Sequence, residues 1–325
     1  MRAAVHTEFG TPEVVLSAQD QPLPEPASGQ VRIKTILSPI HNHDLWTIHG
    51  NYGYKPTFPA IAGSEAVGII DAAGENVSHV KAGQRIAVAG VHGTWSEYFL
   101  APANLVVPLP NEVPDDIAAQ LIAMPLSAAM LLDFLQVTKG DWLIQNAASG
   151  AVGKVLAILA QTRGVNTISL VRRDTAIDEL KALGVEHVVS TEQVDWQAQV
   201  KTLLGNQTIR AAVDSIGGTA SKDLVGLLGE NGTLVSFGSM NGEPMQIPTG
   251  DVIFKQVTVK GFWGSKVSQA LSADDKKRLL TELIQGAIQG TLKLPVEGVY
   301  ALADIKQAVV HSLKPAKNGK ILIKP

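Results

Sequence analysis

The chain contains no cysteine, and that absence removes disulfides, zinc–thiolate sites and thiol nucleophiles together. No stretch is long and apolar enough to read as a bilayer-spanning helix. The opening MRAAVHTEFG lacks the apolar core of a secretory signal, so the expected location is cytoplasmic. Net charge is only −3, too small for an overall field that would draw nucleic acid or an anionic membrane, and neither is expected as a partner. No internal repeat or low-complexity segment stands out. What remains is an ordinary globular balance, 45% hydrophobic and 18% charged over 325 residues. That length is enough for two domains with a substantial core.

The most informative stretch is Asp141–Asp174. Trp142–Gln145 is a short apolar run that ends in Asn146, and the turn AASGAVG (Ala147–Gly153) follows. Val152–Leu159 has helical apolar spacing, Gly164 ends it, and Thr167–Val171 is a second apolar run. Strand, glycine turn, helix and strand make a βαβ unit, the context in which such a turn holds a dinucleotide. Gly150 would let the backbone approach a pyrophosphate, and Gly153 would let the helix pack close to its strand. The free N–H groups at the helix start, around Ala151 and Val152, would face the phosphates. Asn146 and Ser149 would meet the cofactor at the turn. Ala148 stands where the first glycine of a G-x-G-x-x-G pattern is expected. The second strand ends in Arg172 and Arg173 rather than in the carboxylate that normally meets the adenosine ribose. Guanidiniums there can grip a 2′-phosphate through forked, charge-assisted hydrogen bonds, which favours NADP(H) over NAD(H).

Around this unit the chain divides by pattern. Residues 1–112 read as β-rich, with strands expected at Gln30–Leu37, Gly63–Ala72, Gln84–Ala89 and from Gly93 to Tyr98. A helix is expected from Pro114 through Leu135, broken at Met124-Pro125. After the first two strands of the βαβ unit, His187–Ser190, Ile209–Asp214, Thr233–Phe237 and Val257–Phe262 supply four more. Six short strands separated by helices predict an α/β, doubly wound parallel sheet. The tail predicts helices at Asp274–Gln289 and Ala303–Leu313 and a strand at Lys320–Ile323 that returns to the N-terminal region. The domains are accordingly 1–112 with 264–325, and 113–263 inserted between them.

Several segments together resemble the medium-chain dehydrogenase/reductases over nearly the whole length. They are Gly83 in KAGQRIAV, the AxxGxVG turn at Ala147–Gly153, and the strand-and-glycine segment Ser236–Gly238. Within that superfamily HGNYGYKPTFPAIAGSEAVG (His49–Gly68), IQNAASGAVG (Ile144–Gly153), FGSMNGEP (Phe237–Pro244) and IFKQVTVKGFW (Ile253–Trp263) resemble the mitochondrial-type trans-2-enoyl thioester reductases. The zinc-free quinone reductases are a related subgroup. The resemblance implies a Rossmann sheet inserted in a GroES-like catalytic domain, NADP(H) as cofactor, a small-molecule substrate and a homodimer.

It also implies site residues. Tyr52 matches the tyrosine that orients the thioester and can donate a proton, with Tyr54 as the alternative, and Trp263 matches a tryptophan beside the nicotinamide. Gly238, Ser239 and Met240 would reach the nicotinamide end, with Phe262 and Lys320 also on the cofactor. His41, Asn42, Trp46 and Tyr54 would line the substrate pocket. In the zinc alcohol dehydrogenases of the superfamily, a cysteine ligand stands where this chain has His41, and a histidine ligand where it has Ser64. His41, His43 and Glu65 leave only a nitrogen and oxygen set, and no metal is expected. The implied activity is reduction of the activated C=C bond of a 2-enoyl thioester, or alternatively of a quinone or enone. A zinc alcohol dehydrogenase and a binding protein that keeps NADPH without turnover are the remaining alternatives.

Overall fold

A computed structural model describes all residues from Met1 to Pro325. Eight strands come first: β1 (Arg2–His6), β2 (Ser17–Asp20), β3 (Gln30–Pro39), β4 (Ala60–Ile61), β5 (Glu65–Ala73), β6 (Arg85–Ala89), β7 (Tyr98–Pro102) and β8 (Val107–Pro108). Then follow β9 (Trp142–Gln145), β10 (Asn166–Val171), β11 (His187–Ser190), β12 (Ile209–Asp214), β13 (Leu228–Ser236) and β14 (Thr258–Gly261). The chain closes with β15 (Val296–Ala301) and β16 (Lys320–Lys324).

Alternation organises the first set. Val31 and Ile33 are fully buried while Lys34 between them and Thr35 faces solvent, so one face of β3 makes core and the other stays wet. β3 pairs antiparallel with β5 and β7, and β16 comes back to it antiparallel, Leu322 opposite Pro39. The sheet order is β15-β16-β3-β5-β6-β8, with a smaller sheet β2-β1-β4 beside it. The strand expected from Gly93 begins only at Tyr98. Ser96 Oγ lies 2.6 Å from the Gly93 carbonyl and 2.8 Å from that of Tyr98, which curls the segment into a turn. Trp95 is buried there, its Nε1 donating to the Pro39 carbonyl at 3.1 Å. Among the helices that no periodic pattern marked is Asn42–His49, closed by Gly50 at φ +81°.

The remaining strands form one parallel sheet in the order β11-β10-β9-β12-β13-β14. That is the doubly wound arrangement, and its order reverses between β9 and β12. Leu143 and Ile144 of β9 are fully buried, as expected of a central parallel strand covered on both faces. The helical segment after Pro114 is interrupted earlier than Met124-Pro125: the helices are Asp115–Ala118 and Ala123–Leu135. Pro125 sits in the first turn of the second helix, where its missing N–H has no intrahelical acceptor to lose.

The chain packs as two compact units, Met1–Ala123 with Leu283–Pro325, and Met124–Glu282. Both boundaries fall later than residues 112 and 263, and side-chain ties show why. Glu65 accepts the Ile122 and Ala123 N–H groups at 2.7 and 2.8 Å, and Gln120 donates to the Leu294 carbonyl at 3.0 Å. In the other unit Arg163 grips Asp133 and Glu282, each at 2.6 Å.

Glycine substitutions separate two kinds of role in the parallel-sheet unit. A Cβ on Gly153 would stand 2.7 Å from the Ala148 Cα, a backbone contact that cannot relax cheaply. One on Gly226, in the helix Thr219–Leu227, would meet nothing within 4 Å. Gly153→Ala is expected to cost about 1–3 kcal/mol in urea unfolding, and Gly226→Ala to gain up to about 1 kcal/mol from helix propensity.

Candidate active site

At the sheet reversal, the ends of β9 and β12 are fastened by side chains. Asn146 Nδ2 donates to Asp214 Oδ1 at 2.7 Å, and Asn146 Oδ1 accepts the Ser215 N–H at 2.7 Å. Asp214, fully buried, also accepts from the Ile216 and Gly217 N–H groups and from Ser221 Oγ at 2.5 Å. Asn146 therefore spends both ends of its amide on the scaffold. Asp214 is a functional candidate that sequence reading missed, although a carboxylate closing the apolar run Ile209–Asp214 was a usable signal.

The glycine turn follows with Ala147 at φ +50°, and Ser149, Gly150, Ala151, Val152 and Gly153 are half-buried to exposed. The first N–H groups of the helix Ala151–Thr162 have no intrahelical acceptor. At the end of β10, Arg172 is exposed and Arg173 half-buried, and neither guanidinium pairs with another group of the chain. A close-approach glycine, a helix N-terminus and free guanidiniums together fit a dinucleotide with an extra phosphate. Gly238 is held by its N–H to the Asp214 carbonyl at 3.2 Å, while Ser239 and Met240 project from the same turn and are exposed. Phe262 is buried against Phe134 and Phe237, leaving its backbone as the part able to meet a ligand. Trp263 is 70% exposed at the start of the helix Gly264–Ala270.

The first unit contains a cavity of about 330 Å³ whose wall includes His43, Asp44, Tyr52, Tyr54, Ser64 and His92. The His43 ring stacks on Tyr52 with centroids 5.7 Å apart, and Tyr54 on His92 at 3.8 Å. The helix Asn42–His49 aims His43 at the cavity and buries Leu45 and Ile48. The other residues expected in a pocket lie elsewhere. His41 is buried behind the wall, whereas Asn42 and Trp46 are exposed and do not line the cavity.

Two family models match the chain, an alcohol dehydrogenase GroES-like domain over residues 27–111 and a zinc-binding dehydrogenase over residues 151–281. The human mitochondrial enoyl-[acyl-carrier-protein] reductase is 32% identical over 99% of this chain and 88% of its own length. The chain is an oxidoreductase of the medium-chain dehydrogenase/reductase superfamily. Solved structures of the superfamily superpose along its whole length. A Bacillus thuringiensis protein assigned as an NADPH:quinone reductase is 29% identical with a TM-score of 0.89, covering 100% of this chain and 98% of that one. The complex of Etr1p with NADP and crotonyl-CoA is 26% identical with a TM-score of 0.86, covering 100% and 99%.

Behind the cavity wall this dehydrogenase/reductase buries an acidic and basic cluster. His41 Nε2 lies 2.6 Å from Glu65 Oε2, and both side chains are out of contact with solvent. Burial pushes Glu65 from 4.5 up to about 7, against the pull of its hydrogen bonds from Ala123 and Ile122. Burial, then the Lys320 ammonium, hold His41 well below its usual range. Lys320 is itself lowered by burial, against the attraction of Asp44 and Glu65, and its Nζ donates to the Ile40 carbonyl at 3.3 Å. Lys320 thus belongs to this cluster. His41 Nε2 is engaged by Glu65 and His43 Nε2 by Ser64, and no three His, Asp or Glu side chains are grouped to hold a metal ion. His41 Nδ1 is buried without a hydrogen-bond partner.

The raised Glu65 makes stability depend on pH with a definite sign. Between 4.5 and about 7 the folded state holds more protons than the unfolded one, so this group's contribution falls as pH rises. Glu65→Gln keeps the acceptor for Ile122 and Ala123 but cannot ionise. Urea unfolding at pH 5 and pH 8 is expected to show Glu65→Gln gaining stability relative to the parent chain as pH increases. A pH-independent difference would contradict the assignment.

Proposed function

We propose that this chain is an NADPH-dependent reductase of the activated C=C bond of a 2-enoyl thioester. The observation that carries this reading is the placement of Tyr52, the tyrosine of the GNYG segment, on a cavity wall beside His43 and Ser64. It is supported by the 32% identity, across 99% of the chain, to an enoyl reductase and by the likeness to a protein bound to NADP and crotonyl-CoA. When bound, NADPH supplies the hydride that reduces the β carbon. The glycine turn and the start of the helix Ala151–Thr162 hold the pyrophosphate, and Arg172 and Arg173 hold the 2′-phosphate. Gly238, Ser239, Met240 and Trp263 serve the nicotinamide end. Tyr52 donates a hydrogen bond to the thioester oxygen, where enolate charge collects once the β carbon is reduced.

A quinone or enone is the second reading. It is favoured by the flat, stacked pair Tyr54 and His92 in the cavity wall and by the likeness to a protein assigned as a quinone reductase. The homodimer reading assigns the open edge of the parallel sheet, β14 with its 40% exposed Val259, to a second copy. No helix is long and apolar enough to cross a membrane. The cytoplasmic reading is kept, while the human relative is named as mitochondrial.

NADPH oxidation followed with crotonyl-CoA and, separately, with a simple quinone tests the main reading: faster thioester turnover supports it, and turnover of the quinone alone moves the assignment to the second. Tyr52→Phe is expected to lower kcat on the thioester by about 10²–10³-fold if it stabilises the oxyanion. Replacing Arg172 and Arg173 by alanine is expected to weaken NADPH by roughly 10–100-fold through lost charge-assisted bonds. NADH binding, measured by fluorescence titration, should stay unchanged.

A further inference from the structure

Ser64 has one hydroxyl proton, and Asp44 receives it: Ser64 Oγ stands 2.5 Å from Asp44 Oδ1. The other contact of that hydroxyl, 2.7 Å to His43 Nε2, therefore needs its proton on the imidazole, and His43 donates from Nε2. Asp44 is buried and its second oxygen accepts the His41 backbone N–H at 2.9 Å, so the carboxylate is held in place. It thereby selects the tautomer of a ring from which it stands 3.6 Å away. The other ring nitrogen, Nδ1, has no partner within the chain. The ring keeps 27% of its surface exposed on the cavity wall beside Tyr52. An imidazole on a cavity wall, backed by a hydroxyl and a fixed anion, can take a proton from water and pass it to a bound substrate.

We propose that His43 delivers the proton of the reduction, with Ser64 and Asp44 as positioning residues that keep its Nε2 protonated. The inference rests on the reductase reading and assigns the proton source within it, leaving Tyr52 to hold the substrate oxygen. The step begins from the enolate left once hydride from NADPH has reduced the β carbon. The enolate electron pair forms a new C–H bond at the α carbon as the Nδ1–H bond of the imidazolium breaks. The neutral ring retains its Nε2 proton on Ser64 until water returns a proton to Nδ1.

His43→Phe keeps a flat ring beside Tyr52 and removes both nitrogens. With crotonyl-CoA its kcat is expected to fall about 10²–10⁴-fold, the range for a lost general acid, while KM and NADPH affinity stay close to the parent values. Independently of turnover, the ¹⁵N shifts of His43 in the ligand-free protein should report an Nε2–H ring. Ser64→Ala should erase that preference and lower kcat with KM unchanged. An Nδ1–H ring in the parent protein, or a parent-like kcat in His43→Phe, overturns the proposal while the reductase reading stands. A parent protein that oxidises NADPH with neither crotonyl-CoA nor a quinone overturns the reductase reading and the proposal together.

Discussion

A carboxyl group cut off from water organises the β-rich unit. Glu65 opens β5, and its side chain has no exposed surface. Left unpaired, such a group would cost several kcal/mol. Its surroundings meet that cost bond by bond: one oxygen takes the Ile122 and Ala123 N–H groups, the other meets His41. Those bonds bring the segment that follows residue 112 into the same unit. The same logic extends outward through Asp44, whose oxygens are occupied by the His41 N–H and the Ser64 hydroxyl. The cavity wall is the outer layer of this network, and its polar side chains point where the buried acids dictate.

The parallel-sheet unit solves a comparable problem with Asp214. A strand buried on both faces ends there in a carboxylate, and six donors close around it: the Asn146 amide, the Ile216 and Gly217 N–H groups and Ser221 on its side chain, with the Phe237 and Gly238 N–H groups on its backbone carbonyl. The result is a rigid floor at the point where the strand order reverses, the place where ligands of such sheets bind. A rigid floor matters for the proposed hydride transfer because such a step tolerates little misplacement of the reacting atoms. Asn146 contributes to that floor with both ends of its amide.

The two halves of the proposed chemistry draw on different physics. Holding a dinucleotide uses repeated backbone features, a helix start and a close glycine approach, that many sequences can supply. Choosing and protonating the substrate uses individual side chains of the Asn42–His49 helix and the loop after it. In the proposed function, the choice of substrate therefore falls to the short Asn42–His49 helix and the loop after it.

The parallel sheet was legible because its signals are local: apolar runs of strand length, glycines at their ends and helical spacing between them place six strands without reference to anything distant. Gly150, Gly153, Arg172 and Arg173 could be read as a phosphate-binding set for the same reason. The helix Asn42–His49 was not legible, since NHDLWTIH is short and mixes buried and exposed polar residues without a period. Pro125 misled because a proline is equally at home in a first turn and at a break. The cluster of His41, Asp44, Glu65 and Lys320 joins residues from distant parts of the chain, and nothing local distinguishes a half-buried lysine beside acids from a surface one. Sequence alone determined the fold class, the strand–glycine turn–helix unit at Trp142–Thr162 and the superfamily, each carried by short-range pattern or by resemblance. The contact of His43 with Ser64, the raised Glu65 and the place of Lys320 in that cluster were decided by tertiary structure, because each depends on which distant groups are brought together out of water.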